Sequence, residues 1–439
     1  MGLSILKILG LLNFAVFLVM MLVNKGDKNQ LFIKFILLSY PVLAIYLIPI
    51  LTGFDMICFT FLFVFYKKRE QSFREGFVYT VIFVVMLLLV AIGMFLADEG
   101  IGIESITDYL SIFPVFIFSK ILIDECLEDM DFFYEIIRCL KITLIVSFVF
   151  LCLQFVLGVQ FSLSAHQNPN IIISDGIRYP SFLSDPQVYS QYLAAMSFIC
   201  LIKDKEGNNL KVINYVLAIL CLLAIFTAGG RAGMLGWAVG MSLMVLFSNA
   251  NYRITVLVTC GILYLVALNF GDSFAIFKRG GDMSETYDFR HGIWEDAYQI
   301  FLGQPFFGIG IGNYAKYVTV HNPDQFWLVE NEFIYFDHPE SGYLKFLTEL
   351  GATGFVCIFL FVLLPMFNAF LVYLRTKDSS IILLISAVLS WMTGFYSTYS
   401  FGDVRLKVLI ITILCLLILS KQRLLQNNTE TEEAEPVPQ

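Results

Sequence analysis

The chain has 439 residues, 58% hydrophobic and 15% charged, with 44 phenylalanines and a mean hydropathy of +0.77. Soluble domains are nearer about 45–50% apolar, so the composition excludes a soluble protein and points to an integral membrane one. A net charge of −8 and the lack of any extended basic patch exclude a general nucleic-acid binder, which has to neutralise phosphates.

Repeated apolar runs are long enough to cross roughly 30 Å of hydrocarbon as helices, and the alternation a membrane barrel needs is missing. The expected fold is an all-α, polytopic bundle of 12–13 transmembrane helices. Candidate spans are 3–23, 31–50, 54–66, 77–96, 107–123, 139–157, 188–202, 212–227, 232–248, 254–270, 345–373, 381–399 and 404–420. Lys7 and the apolar run behind it are followed by no small-residue cleavage pattern, so the amino terminus reads as an uncleaved anchor.

Lys67, Lys68, Arg69 and Arg74, then Arg138 and Lys141, Lys203, Lys205 and Lys211, Arg253, Arg375 and Lys377, and Lys421 and Arg423 fall on one side when the spans alternate. The positive-inside rule makes that side the cytoplasm. Before residue 67 the parity fails: either 3–23 lies in the interface or 31–66 crosses only once. Residues 124–138 read as a short amphipathic helix on the inner surface, with Phe132, Phe133, Ile136 and Ile137 on one face. None of the nine cysteines lies in 158–187 or 271–344, so no disulfide is expected in the outer loops.

The chain divides into a first membrane part (1–270), a large, partly helical outer loop (271–344), a last membrane part (345–420) and a disordered acidic tail (421–439). The loop is too polar for a bilayer and carries aromatic and charged residues at helical spacing, which suits a folded functional element. Ile293, Trp294, Ala297, Ile300 and Phe301 make one apolar helical face, which Pro305 ends. Gly308, Gly310 and Gly312 follow no strand and read as a tight loop where backbones approach closely.

Arg231 interrupts the apolar stretch 212–248. An arginine at mid-membrane costs roughly 2.5–3.5 kcal/mol on insertion scales. Gly229 and Gly230 therefore read as a helix break that sets its guanidinium at the outer mouth. With Arg178 and Arg290, each at a loop-to-helix junction, it suits a diphosphate gripped through forked, charge-assisted contacts. Asp337, His338 and Glu340 precede the helix that starts near residue 342. A general base needs a pKa near neutrality and access to a hydroxyl, which His338 has by nature and Glu340 by partial desolvation. No metal-ligand spacing occurs among the histidines.

These residues lie in RYPSFLSDPQ (178–187), TAGGRAG (227–233), RHGIW followed by PFFGIGIGNY (290–314), and SGYLKFLTELGATG (341–354). In this order and placement the chain resembles the O-antigen polymerase and O-antigen ligase superfamily of bacterial inner-membrane glycosyltransferases. The resemblance implies a glycosyltransferase C-like architecture and a periplasmic site fed by undecaprenyl-pyrophosphate-linked oligosaccharides. It implies no cofactor, metal or nucleotide sugar, with Arg231, Arg178 and Arg290 on the pyrophosphate and Glu340, His338 or Asp337 as catalytic groups. Membrane lipid, a chain-length regulator and a flippase are the implied partners, and O-antigen, capsule or exopolysaccharide the implied products.

Ligases of this family carry a His-Asn pair where this chain has Glu340-Ser341, with His338 two positions earlier. That departure favours a repeat-unit polymerase over a ligase delivering finished polymer to lipid A core. A non-enzymatic flippase or transporter is the third reading. Against it, the ionisable residues cluster at the outer face rather than at the midplane.

Overall fold

The computed structural model describes residues 2–67, 76–163, 172–173, 176–205, 211–247, a few positions between 253 and 265, 283–322, 326–329, 332–335, 338–420 and 422. Asp337, most of the expected span 254–270 and the acidic tail lie outside the described residues.

The architecture is the expected all-α membrane bundle. In chain order the helices are α1 (Gly2–Val23), α2 (Lys28–Leu38), α3 (Gly53–Thr60), α4 (Gly76–Leu96), α5 (Ile103–Leu110), α6 (Ile112–Glu128) and α7 (Phe132–Leu157). They continue as α8 (Pro186–Cys200), α9 (Val212–Ala228), α10 (Arg231–Phe247), α11 (Met283–Gly303), α12 (Tyr314–His321), α13 (Gly342–Thr376), α14 (Ser379–Phe395) and α15 (Val404–Ile418). The described strands form three two-stranded antiparallel hairpins: Tyr46–Ile48 with Leu51–Thr52, Ile172–Ile173 with Gly176–Ile177, and Phe326–Val329 with Glu332–Tyr335.

Among the described residues, four helices are long and apolar enough to cross a membrane by themselves: Ile5–Val23, Val78–Leu96, Phe132–Leu157 and Gly342–Thr376. The first two leave large apolar side chains uncovered, Leu22 at 71% and Phe95 at 79% exposure, as a surface that meets lipid does. The helices inside the bundle are shorter. All of α8 except Gln187 and all of α15 except Lys407 are buried. At 1.5 Å per residue their 15 residues span about 22 Å, less than the hydrocarbon thickness. A helix surrounded by protein can be short, because its polar ends meet other protein groups rather than acyl chains.

Hydrocarbon supplies no hydrophobic drive between helices, so close backbone approach has to supply packing. Along α10, Gly233, Gly236 and Gly240 provide it. A Cβ at Gly236 would lie 2.2 Å from the Ser390 carbonyl of α14, and one at Gly233 2.4 Å from the Ser190 backbone of α8. Helices α8, α9, α10 and α14 thus form one tightly packed group.

Of the two alternatives before residue 67, the geometry speaks against a single crossing by 31–66, and one expectation further on is corrected. The Asn29 amide donates to the Lys67 carbonyl at 3.0 Å, and the Lys67 N–H donates back at 3.5 Å, so the stretch enters and returns to the same side. Residues 124–138 are not one surface helix. Glu125 belongs to the end of α6 and is fully buried, accepting from Asn29 at 2.7 Å. Phe132, Phe133, Ile136 and Ile137 begin α7 and are buried in the core. All nine cysteines are free.

Candidate active site

The break before Arg231 is built as the glycines predict. Gly229 caps α9 at φ 62°, ψ 24°, and its N–H donates to the Ile225 and Phe226 carbonyls. This is the left-handed stop that favours glycine. Gly230 presses against Ser190, where any Cβ would overlap the hydroxyl. Arg231 then opens α10, where the helix dipole adds to its own positive charge.

Arg178 supports that turn from behind. It is 1% exposed, and its Nε donates to the Ala228 carbonyl at 3.0 Å. The Tyr179 N–H donates to the Thr227 carbonyl at 3.3 Å.

The second half of the site comes from α11 and the start of α13. Arg290 Nη2 lies 3.3 Å from Glu340 Oε2, and His338 Nε2 lies 3.9 Å from Glu340 Oε1. None of the three is fully covered: their side chains are 26%, 16% and 23% exposed for Arg290, Glu340 and His338, enough to meet a ligand. Glu340 sits at φ 51°, a left-handed conformation that costs a non-glycine residue of order 1–3 kcal/mol and tends to mark functional segments. One helical turn beyond Arg290, Trp294 packs edge-on against Tyr396, ring centroids 5.2 Å apart. Its buried Nε1 has no hydrogen-bond partner among the described residues. As expected, Ile293, Ala297 and Ile300 are buried along the same helix.

The glycine cluster anchors this half to the membrane part. Helix α13 is broken at Gly351 (φ 63°, ψ −175°), which would strand carbonyls where water is scarce. The 304–314 loop supplies the missing donors. Ile309 N–H bonds the Thr348 carbonyl at 2.9 Å and Gly310 N–H the Glu349 carbonyl at 3.0 Å, while Ala352 N–H bonds the Pro305 carbonyl at 2.8 Å. Gly308, Gly310 and Gly312 all have positive φ, and a Cβ on Gly308 would lie 2.4 Å from the Thr348 oxygen. The 304–314 loop is docked on the helix at its break.

The two halves meet around the end of α14. Gln187, at the start of α8 and beside the Arg231 turn, shares a 2.5 Å hydrogen bond with the Thr398 hydroxyl. The next residue, Tyr399, faces His338 with centroids 5.8 Å apart. Tyr396 holds Trp294, and Phe395 packs on Gly342. The structure therefore joins Arg290, His338 and Glu340 directly and seats the Arg231 turn on the same group of helix ends. Asp337 is outside the described residues, and no three His, Cys, Asp or Glu side chains among those described come together as a metal site requires.

Charged groups within the spans were not singled out from the sequence. Lys345 Nζ lies 3.5 Å from Glu349 Oε1 and 4.7 Å from the Tyr399 ring centre, tying the helix start to the ring that faces His338. Glu349, 2% exposed, also accepts from the Tyr314 N–H at 3.2 Å.

Asp403 and Arg405 form a forked pair at 2.8 and 2.6 Å. Ser184 donates to Asp403 at 3.1 Å, and Arg405 donates to the Phe182 carbonyl. Burial alone would raise the Asp403 carboxyl, but Arg405 outweighs it and holds the group below the ordinary carboxylate range. The available signal was the cost of a charge in a span: Asp55, Lys345, Glu349, Arg405 and Lys407 all fall in segments read as apolar, and such residues need partners.

Residues 216–359 match the family model described as O-antigen ligase. That stretch belongs to the O-antigen polymerase and ligase superfamily. It contains Arg231, Arg290, His338 and Glu340 and excludes Arg178. Members of the superfamily are glycosyltransferase-like enzymes that act on lipid-linked oligosaccharides. A search of curated proteins finds no match to the chain. The superfamily region and the long apolar helices agree on a multi-pass membrane protein with an O-antigen polymerase or ligase type of activity.

Proposed function

We propose that the protein is a repeat-unit polymerase, acting on the periplasmic face of a bacterial inner membrane. The growing chain on undecaprenyl pyrophosphate passes, with inversion, to the terminal hydroxyl of an incoming lipid-linked unit. The observation that carries this reading is the convergence of Arg290, His338 and Glu340 at the start of α13, within the superfamily region that also holds Arg231.

In this scheme Glu340 or His338 takes the proton of the acceptor hydroxyl. The oxygen attacks the anomeric carbon, the bond to the diphosphate breaks, and the electron pair leaves with the lipid diphosphate. Arg231 and Arg290 would meet charge as it grows on that leaving group, the task a metal performs in other transferases. Arg178, buried and bonded to Ala228, acts through the turn that presents Arg231. The Trp294 indole N–H, without a hydrogen-bond partner among the described residues, is a neutral donor beside the same place.

Purified protein supplied with defined lipid-linked repeats should make polymer, and Arg231→Ala should not. Polymer from Arg231→Ala at the wild-type rate overturns the site. The ligase reading has one specific observation behind it, the family description itself. Deletion in the cell separates the two on a gel. Loss of a polymerase leaves core bearing one unit, and loss of a ligase leaves bare core while lipid-linked polymer accumulates.

A further inference from the structure

A cavity of about 160 Å³ opens among α3, α4, α5, α6, α13 and α15, beside the candidate site but distinct from it. Its size is close to the roughly 150 Å³ apolar cavity that holds one benzene ring. It therefore has room for a ring-sized group or a short length of hydrocarbon, not a whole lipid-linked chain.

The lining is graded. Asp55 near the start of α3, Asp108 and Ser111 at the end of α5, Glu349 just before the break in α13, and Lys407 in the first turn of α15 all line it. Each lies near a helix end or break. Phe83 and Met86 of α4, Phe361 of α13, and Ile411 and Leu414 of α15 line the remainder, and these lie well inside their helices. One region offers carboxyl, hydroxyl and amine groups, and the other offers hydrocarbon.

Glu349 is held by Lys345 and by the Tyr314 N–H, and Asp55 by the Thr52 capping box, whereas Lys407 is engaged more loosely. Lys407 Nζ reaches the Ser111 hydroxyl at 3.4 Å, near the limit of a hydrogen bond. Asp55 accepts from Thr52 at 2.7 Å through one oxygen. With Glu349 paired to Lys345 at 3.5 Å, the carboxyls of Asp55 and Asp108 share the cavity with the Lys407 amine, an acidic balance unlike that of the arginine-bearing candidate site. An anionic head group would meet repulsion here, whereas hydroxyls can donate to the carboxylates and accept from the lysine.

We infer that this cavity binds a neutral, hydroxyl-bearing amphiphile, with its hydroxyls at the Asp55, Asp108 and Lys407 end and its apolar part among Phe83, Phe361 and Leu414. Tyr399 lines this cavity and also faces His338, so the cavity and the candidate site share one tyrosine. The site itself does not rest on the polymerase reading.

The test uses the full chain in lipid nanodiscs and two diazirine-tagged octyl probes, a glucoside and a phosphate. The glucoside should label peptides of α4 and α15, at least fivefold more than the phosphate does, and excess untagged octyl glucoside should compete. Asp108→Lys should reverse the preference. Leu414→Trp, which fills the apolar end, should abolish labelling while the protein stays monodisperse with a wild-type melting curve. Should Leu414→Trp instead impair folding, Ile411→Phe serves the same purpose. Equal labelling by the two probes, or labelling outside these helices, overturns the proposal. Failure of the polymerase reading would show separately, as selective glucoside labelling in a protein that makes no polymer.

Discussion

Arg290 and Glu340 stand 50 positions apart in the chain, yet guanidinium and carboxylate meet at 3.3 Å. The pair joins helix α11 to the first residues before α13, and His338 lies near the same carboxylate. A glutamate held between an arginine and an imidazole is oriented before any substrate arrives, while the arginine keeps part of its surface open.

Arg290→Ala should lower polymer formation by about 10²–10³-fold, the usual consequence of losing one group that stabilises transition-state charge. Arg290→Lys should recover little, since an ammonium cannot present the planar fork. Turnover with defined lipid-linked repeats measures both, and a wild-type rate for Arg290→Ala removes this residue from the site.

Gly308→Ala should destabilise the protein by at least about 1–3 kcal/mol, because the residue sits at φ 68° in the region where non-glycine residues are strained. The added methyl would also collide with the Thr348 oxygen and undock the loop that satisfies the broken helix. Thermal melting of the purified protein reads the stability. Protease accessibility near residue 308 reads the undocking.

Asp403→Asn should cost about 3–5 kcal/mol, since it leaves Arg405 buried without its counter-charge. The pH dependence has a definite sign. Arg405 holds the Asp403 carboxyl below its ordinary value against the effect of burial, so the pair stabilises the fold above the unfolded carboxylate pKa of about 3.9. That contribution declines as pH falls through the lower folded value. Melting curves from pH 7 down to 3 should show the wild type losing this increment in the acid range, with the Asn variant lacking that part of the dependence.

Gly236→Leu should prevent α10 from seating on α14, because even a Cβ would come within 2.2 Å of the Ser390 carbonyl. The expected result is a loss of folded, monodisperse protein on size-exclusion chromatography. Leu235→Ala one position away, at a side chain 58% exposed, should leave the profile unchanged.

Local chemistry carried much of this structure. Apolar runs of spanning length made the bundle legible, because a lipid-buried backbone has to satisfy its own hydrogen bonds. Gly229 and Gly230 marked the helix stop before Arg231, and Gly308, Gly310 and Gly312 the close backbone approach, since positive φ suits glycine best. His338 and Glu340 stood out as ionisable groups where polar loop meets apolar helix, whereas Arg290, expected at such a junction, lies inside α11 (Met283–Gly303).

Only the tertiary structure decided which of these groups meet. That Arg290 pairs with Glu340, that Arg178 turns inward to brace the α9 end, that 31–66 doubles back onto Lys67, and that Glu125, Asp403 and Arg405 are buried all depend on residues tens to hundreds of positions apart. Periodicity and capping are settled within a turn or two of helix. Pairing of charges across a bundle is settled by how the helices pack, which no local pattern encodes.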